Sequence, residues 1–465
     1  MRPFTIFYAC AERWPFVTTG GLGEVAYSFP LALARRGHRV TVLLPAYGDL
    51  RSLHDLRPGP ALVDPALRGY SWREGTADGL RHLFLSGPAL NPEAGGPYTD
   101  AEGRPAADLH LRFALFSRAC AERADRERAE ILHLNDWHTA PAAALVRGGK
   151  HRPRTLLTVH NFRYRGETSA RALADLFPDL SLPAVADENP PTFLGIGVAT
   201  SDIVQTVSPG YAEESLATDE ALVHCLRTRP HGLVGIVNGL DTQRWDPRCD
   251  PALGRGFGPR TLARKHELRR ELAARWGFPM VNDPLAVYIG RLVHDKGIDL
   301  LLALLCELEE LGLNLAILGR GDPHYETILR TAPAPEGRWR ARLAYDDREA
   351  HRLLGAADLL LMPSRHEPCG LVQLEALRYG VIPVVCASGG LRDTVIDVRR
   401  NPSGHGFVFA EPTPEAFIAT VRAARNLIAA PELWTTLARR AMTQRLGWAR
   451  RIPSYEALYR RLARA

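Results

Sequence analysis

Along the chain, apolar runs of four to six residues alternate with longer stretches in which apolar positions recur every three or four residues. The short runs predict strands buried on both faces, and the longer ones predict amphipathic helices. Residues 4–9, Phe-Thr-Ile-Phe-Tyr-Ala, predict an opening core strand; no basic leader or cleavage site precedes them, so they are not read as a secretory signal. Leu31, Leu33 and Ala34 fall in a helix that stops at Gly37, and a strand follows over 40–44. Further strands are predicted over 131–134, 155–159 and 203–207.

After about residue 280 the alternation restarts, with a strand over 285–289, a helix over 300–311 and strands over 314–318, 359–362 and 381–385. Strands alternating with helices predict an α/β protein with doubly wound parallel sheets. The Gly-, Pro- and Arg-rich stretch 246–260 reads as a linker, which divides the chain into domains over 1–245 and 261–445 with a cleft between them. Residues 446–465 predict a closing helix, with Tyr455, Leu458, Tyr459 and Leu462 at helical spacing, that packs back on the first domain.

Composition narrows the class. With 465 residues, 46% hydrophobic and 24% charged, the chain is neither disordered nor a disulfide scaffold, and no apolar run approaches the ~18–20 residues of a membrane span. The formal charge of +6 does not form a nucleic-acid footprint, because the bases are spread along the chain and acids interrupt them. Only Lys150, Lys265 and Lys296 are lysines among 58 basic residues. The seven scattered cysteines contain no C-x-x-C, which fits a reducing cytoplasm and gives no metal site.

Five segments carry candidate chemistry, each at the end of a predicted strand. Thr18-Thr19-Gly20-Gly21-Leu22-Gly23-Glu24 leads from the first strand into a helix, where exposed backbone amides favour an anion; a tight packing turn is an equal reading. Asn135-Asp136-Trp137-His138 and His160-Asn161 close consecutive strands, the positions that open toward ligands in such sheets. Arg291 and Lys296, in one strand-to-helix loop, suit a diphosphate gripped from two sides, with a surface ion pair to a neighbouring acid as the alternative. In Glu367-Pro368-Cys369-Gly370-Leu371, Glu367 either serves a sugar or caps the helix that follows.

Together with Gly96-Pro97-Tyr98, Thr206-Val207-Ser208-Pro209, Val237-Asn238-Gly239-Leu240-Asp241, Gly319 with Gly321-Asp322, and Ser388-Gly389-Gly390-Leu391, these segments fall in one order. The series resembles the bacterial glycogen synthase and plant starch synthase family, and it covers almost the whole chain. The resemblance implies two Rossmann-like domains in the GT-B arrangement, facing across a central cleft, the first on the acceptor side and the second binding the nucleotide sugar. It implies an enzyme of the cytoplasm that transfers glucose with retention from ADP-glucose to the non-reducing end of an α-1,4-glucan such as glycogen, without a cofactor or metal and with neither nucleic acid nor membrane as partner. Another retaining GT-B enzyme with a different donor or acceptor, and a catalytically weak glucan-binding homologue, are the alternatives.

Carried over by position, the resemblance implies that Arg291 and Lys296 hold the donor diphosphate, with Gly20 and Gly21 on the same ligand. Glu367 lies beside the transferred glucose, and Cys369, Gly370 and Leu371 offer backbone amides to the donor. His160 hydrogen-bonds the glucosyl unit, Asn238 lines its pocket, and Tyr98 and Asp136 lie toward the acceptor. The family usually reads Lys-Thr-Gly-Gly-Leu-Ala-Asp at the first turn. Here Thr18 stands for the lysine, and Gly23 and Glu24 stand for the alanine and aspartate, which leaves donor phosphates to Arg291, Lys296 and the turn itself.

Overall fold

The computed structural model describes residues 2–47, 50, 53, 55–90, 96–100, 104, 106–180, 191–217, 221–229, 231–279, 282–334 and 337–464. The chain forms two compact units, Met1–Gly239 with Trp448–Ala465, and Leu240–Gly447. The nine strands of the first are β1 (Thr5–Ala9), β2 (Arg39–Pro45), β3 (Arg57–Pro58), β4 (Ser71–Ala77), β5 (Leu80–Ser86), β6 (Ile131–Asn135), β7 (Arg154–Val159), β8 (Ile203–Thr206) and β9 (Leu233–Gly235). They lie in the order β3-β4-β5-β2-β1-β6-β7-β8-β9. From β5 to β9 every pairing is parallel, and β4 and β3 extend the edge antiparallel. Pro58 sits on that outermost strand, where its missing N–H breaks no ladder.

The second unit contributes β10 (Leu285–Ile289), β11 (Asn314–Leu318), β12 (Trp339–Arg342), β13 (Leu359–Met362), β14 (Ile382–Cys386) and β15 (Phe407–Phe409). All are parallel, in the order β12-β11-β10-β13-β14-β15. Counted within the unit this is 3-2-1-4-5-6, the doubly wound order that opens a ligand crevice where it reverses. The reversal falls between β10 and β13 here, and between β1 and β6 in the first unit. Leu285, Ala286, Val287, Leu359, Leu360 and Leu361 are at most 1% exposed, the burial on both faces that an unbroken apolar run requires.

The predicted strands over 285–289, 314–318 and 359–362 coincide with β10, β11 and β13. The helix expected over 300–311 is three pieces, Ile298–Leu304, a 3-10 turn Leu305–Glu307 and Leu308–Leu311. The stretch 246–260 lies wholly in the second unit: Asp250 caps the 3-10 turn Pro251–Leu253 through the Ala252 amide at 2.8 Å, and Leu253 and Phe257 enter the core. A parallel bridge pairs Leu240 with Gly447, and the Leu240 amide donates to the Leu446 carbonyl at 2.9 Å.

The closing helix Ile452–Arg464 packs in the first unit and buries Tyr455, Leu458, Tyr459 and Leu462. Its Tyr459 hydroxyl lies 2.8 Å from His133 Nδ1, while His133 Nε2 is 2.7 Å from Thr158 Oγ1. Thr158 donates its only hydroxyl hydrogen to Gln205 Oε1 at 2.6 Å. It therefore accepts from His133 Nε2–H, and His133 Nδ1 accepts from Tyr459. No helix among the described residues is long and apolar enough to cross a membrane.

Candidate functional site

In the first unit the loops beyond β1, β6 and β7 converge at the order reversal. β6 ends on Asn135, whose Nδ2 donates to the Ala9 carbonyl at 2.9 Å and so fixes the amide orientation. Asn135 Oδ1 accepts from the Tyr8 hydroxyl and from His160 Nε2, each at 3.0 Å. His160 therefore carries its hydrogen on Nε2 and presents Nδ1 as an acceptor. Burial pushes its pKa down to about 4.

Asp136 adopts a left-handed backbone with φ of 54°, which an aspartate tolerates better than most side chains. Its amide donates to the Thr158 carbonyl at 2.9 Å, and its Oδ1 accepts from the His160 amide at 2.6 Å. The ends of β6 and β7 are thus tied through one residue. Burial pushes the Asp136 carboxyl up to about 7; the Glu12 charge adds to the rise, and the amides of His160 and Asn161 oppose it.

Glu12, which the sequence reading passed over, organises the loop beyond β1. It is 3% exposed. Its Oε2 accepts from the Thr19 amide at 2.6 Å and its Oε1 from the Thr19 hydroxyl at 2.8 Å, and the Tyr98 hydroxyl makes a short bond to the same Oε1. One carboxylate therefore joins the glycine turn to Tyr98, 86 positions along the chain. The only signal for it in the sequence is an acid three residues beyond a largely apolar strand.

The helix α1 (Gly21–Arg35) starts at that turn with Gly20 as N-cap and no side-chain cap, and Glu24 lies in its first turn. Thr18 donates its hydroxyl to the Gly20 carbonyl at 3.2 Å. Asn238, 4% exposed, ends the first unit's share of the candidates, and its Oδ1 is buried with no hydrogen-bond partner among the described residues. Trp137 and His138 turn into the core, their rings 4.4 Å apart beside Phe113.

In the second unit the loops beyond β10 and β13 meet. Lys296 Nζ donates to Glu367 Oε2 at 2.6 Å and to the His366 carbonyl at 3.4 Å, with both charged side chains less than one-fifth exposed. The acid that partners Lys296 is thus itself a candidate. Glycine makes the approach possible: Gly297 has φ of 69°, and a Cβ on it would lie 2.0 Å from the Pro363 carbonyl oxygen. Arg291 opens the same loop, exposed, and its carbonyl accepts from the Tyr288 hydroxyl at 2.6 Å.

Glu367 does not cap the helix Val372–Arg378, whose N-cap Leu371 has no side-chain bond to the first turn. The backbone from Glu367 to Leu371 is held otherwise. Gly390 N–H donates to the Glu367 carbonyl at 2.9 Å, and buried Gln373 Nε2 donates to the carbonyls of Cys369 and Gly370 at 2.9 and 3.0 Å. Gly370 has φ of 72°. Ser388 donates to the Ser364 carbonyl at 2.7 Å, and Arg365 forms a bidentate pair with Asp299 at 2.6 and 2.7 Å.

A family model for the starch synthase catalytic domain matches residues 5–228, and one for glycosyl transferases group 1 matches residues 273–434. The glycogen synthase of Methylocella silvestris is 37% identical over 100% of both chains, and that of Halorhodospira halophila is 39% identical over 98% of each. Among solved structures, the catalytic domain of starch synthase IV from Arabidopsis thaliana, bound to ADP and acarbose, is similar at a TM-score of 0.90 and 29% identity over 100% of both chains. A sucrose-phosphate synthase from Thermosynechococcus elongatus, at a TM-score of 0.63, 18% identity and 98% of each chain, shares the fold.

Proposed function

The chain belongs to the glycogen synthase and starch synthase family of glycosyltransferases, and we propose that it extends an α-1,4-glucan by transferring glucose, with retention, from ADP-glucose to the non-reducing end. The observation that carries this reading to particular residues is the Lys296–Glu367 pair, 2.6 Å apart in the loops beyond the carboxyl ends of β10 and β13, the strands that flank the second sheet's order reversal. Lys296 and Arg291 bind the diphosphate as a point charge and a planar fork. The anion takes the place of Glu367 as partner of Lys296, and Glu367 turns to the glucosyl unit.

As the bond from the anomeric carbon to the diphosphate breaks, negative charge grows on the leaving oxygen beside these two cations, which is where fixed charge lowers a barrier. The acceptor hydroxyl adds on the same face, and its proton leaves with the diphosphate. Amides of Cys369, Gly370 and Leu371 and of the Gly20-Gly21 turn bind donor oxygens. His160, neutral, accepts a glucosyl hydroxyl at Nδ1; Asn238 Oδ1 accepts another. Tyr98 and Asp136 orient the acceptor glucan. The protein works in the cytoplasm, where its seven cysteines stay reduced.

The test is glucose transfer from ADP-glucose to glycogen, with the new linkage read by NMR at early conversion. An α-1,4 product supports the proposal. A β linkage or a different acceptor overturns it, and glycogen binding without transfer would leave a glucan-binding homologue.

A further inference from the structure

Bases scattered along the sequence are gathered by the fold of the first unit. Strands β5 to β9 are parallel, so the connections that enter them lie at one edge of the sheet, and the candidate loops leave at the other. Arg39 opens β2, Arg128 precedes β6, and Arg147, Lys150 and Arg152 precede β7. The closing helix crosses the same entering edge: its Glu456 pairs with Arg36, just before β2, at 3.1 Å, and its Arg461 donates to His231, just before β9, at 2.6 Å. Arg464 follows one turn later. Arg39, Arg128, Arg147, Lys150, Arg152 and Arg464 are exposed, and among the described residues none pairs with an acid. The acids of this edge are already engaged. Glu130 takes Arg2 at 2.6 Å and the Thr5 amide at 2.9 Å, Asp202 takes the Thr155 amide at 2.7 Å and Arg154 at 3.5 Å, and Asp125 accepts from the amides of Lys150, His151 and Arg152. Uncompensated positive charge thus collects on the edge that the candidate site does not use.

We propose that this edge is a docking surface for an acidic segment of a partner protein, which holds the enzyme by the side away from its site. Neighbouring strands lie about 4.8 Å apart, so the bases from β2 to β7 spread over roughly 15 Å along the edge. An extended segment of about five residues spans that distance, and Arg464 lengthens the track toward β9. The track is nearly all arginine, whose guanidinium fork fits carboxylates and which is enriched at protein interfaces where lysine is depleted. Glu130 and Asp202, with side chains each 29% exposed, lie among these bases. A polypeptide can set a neutral residue opposite each of them, whereas a nucleic-acid strand brings a phosphate at every step. The edge therefore favours carboxylates placed by a sequence over a uniform polyanion.

The probe is fluorescently labelled octaglutamate, titrated into the full chain and followed by anisotropy. Binding is expected at low salt and should weaken steeply as salt screens the edge. Arg39→Gln, Arg128→Gln, Lys150→Gln and Arg152→Gln together should weaken it about tenfold or more, with the melting curve and glucose transfer unchanged. Replacing Arg73, Arg171, Arg400 and Arg445 by glutamine removes the same charge from exposed positions outside this edge, and should leave binding within about twofold. An equal loss in the two variants would reduce the effect to net charge. Tighter binding of octathymidylate or of phosphatidylserine vesicles would give the edge to another polyanion, and competition of octaglutamate with ADP-glucose or glycogen would put the peptide in the site. Each of these overturns the inference, as does an absence of binding at low salt. The binding measurements decide it whichever donor the enzyme uses.

Discussion

The loops beyond β1, β6 and β7 bring together Glu12, Asp136 and His160, whereas those beyond β10 and β13 bring together Lys296 and Glu367. Both groups sit where a strand order reverses, yet their chemistry is opposite. In the first unit, among the described residues, no lysine or arginine pairs with the buried acids at the reversal: Glu12 is satisfied by hydroxyls and an amide, and Asp136, desolvated, titrates at about 7. His160 stays neutral. In the second an ammonium lies directly on the acid. Doubly wound topology supplies the place, and the partners that local burial allows decide the charge. The groups gathered at the first reversal suit sugar hydroxyls, and those at the second suit an anion.

The hardest way to break this contrast is at Glu367. Glu367→Gln keeps the shape and removes the charge, and kcat is expected to fall a hundredfold or more while KM for donor and glucan moves little; full turnover would leave Glu367 a mere partner of Lys296. Lys296→Ala removes charge-assisted bonds worth about 1.5–3 kcal/mol, so donor affinity should drop tenfold to a hundredfold in the purified, folded variant. Calorimetry with ADP measures it. Glu12→Gln tests the other side: an amide has one acceptor oxygen for the three donors that Glu12 accepts from, so the turn and Tyr98 lose their common anchor. The glucan KM should rise about tenfold through Tyr98, and the donor KM should rise with it through the Gly20-Gly21 turn; a donor KM that stays unchanged would take that turn out of the donor site.

Acidity separates the units more gently. His133 and His138 titrate at about 3 and His160 at about 4, against an ordinary 6.5, chiefly through burial. Between pH 4 and 6.5 the folded first unit binds fewer protons than its unfolded chain, so stability rises with pH through that window and is lost on acidification. Asp136, raised to about 7, opposes this, because the folded state then holds the extra proton. Asp136→Asn should therefore steepen the loss of Tm as pH falls from 6.5 to 4.

The second unit answers at the alkaline end. Buried Lys265, donating to the carbonyls of Leu354 and Tyr379 at 3.1 and 2.8 Å, is pushed down to about 7 by burial. Its folded form binds fewer protons between pH 7 and 10.5, so stability gains with pH there, and Lys265→Met should flatten that slope. Melting curves across pH check both variants.

Much of this contrast was legible in the sequence because it lies in short-range patterns. β10 and β13 are unbroken apolar runs, β11 is one after its opening Asn314, and Lys296, Glu367, Asp136 and His160 each follow a strand by a few residues. What escaped has no local pattern. β3 to β5 are an antiparallel meander in which exposed Arg57, Pro58 and Arg73 interrupt the buried positions, so no continuous apolar run marks it. Glu12 acquires its meaning from Tyr98, a partner that only the folded chain brings near. The stretch 246–260 has a linker's composition, yet Asp250 caps a turn and Phe257 fills the core, and composition does not tell an ordered loop from a free one.

The bridge between Leu240 and Gly447 makes the second unit an insertion closed at its own base, and this fixes an order of events during synthesis. A ribosome that has released residue 447 has delivered every strand of the second sheet and both ends of its bridge, so that unit can finish folding while the earlier one waits. The first unit has had its nine strands for more than 200 residues of elongation. It still lacks Tyr459, and its buried His133 has no donor for Nδ1 until the last helix emerges. The amino-terminal half of this protein is the half completed last.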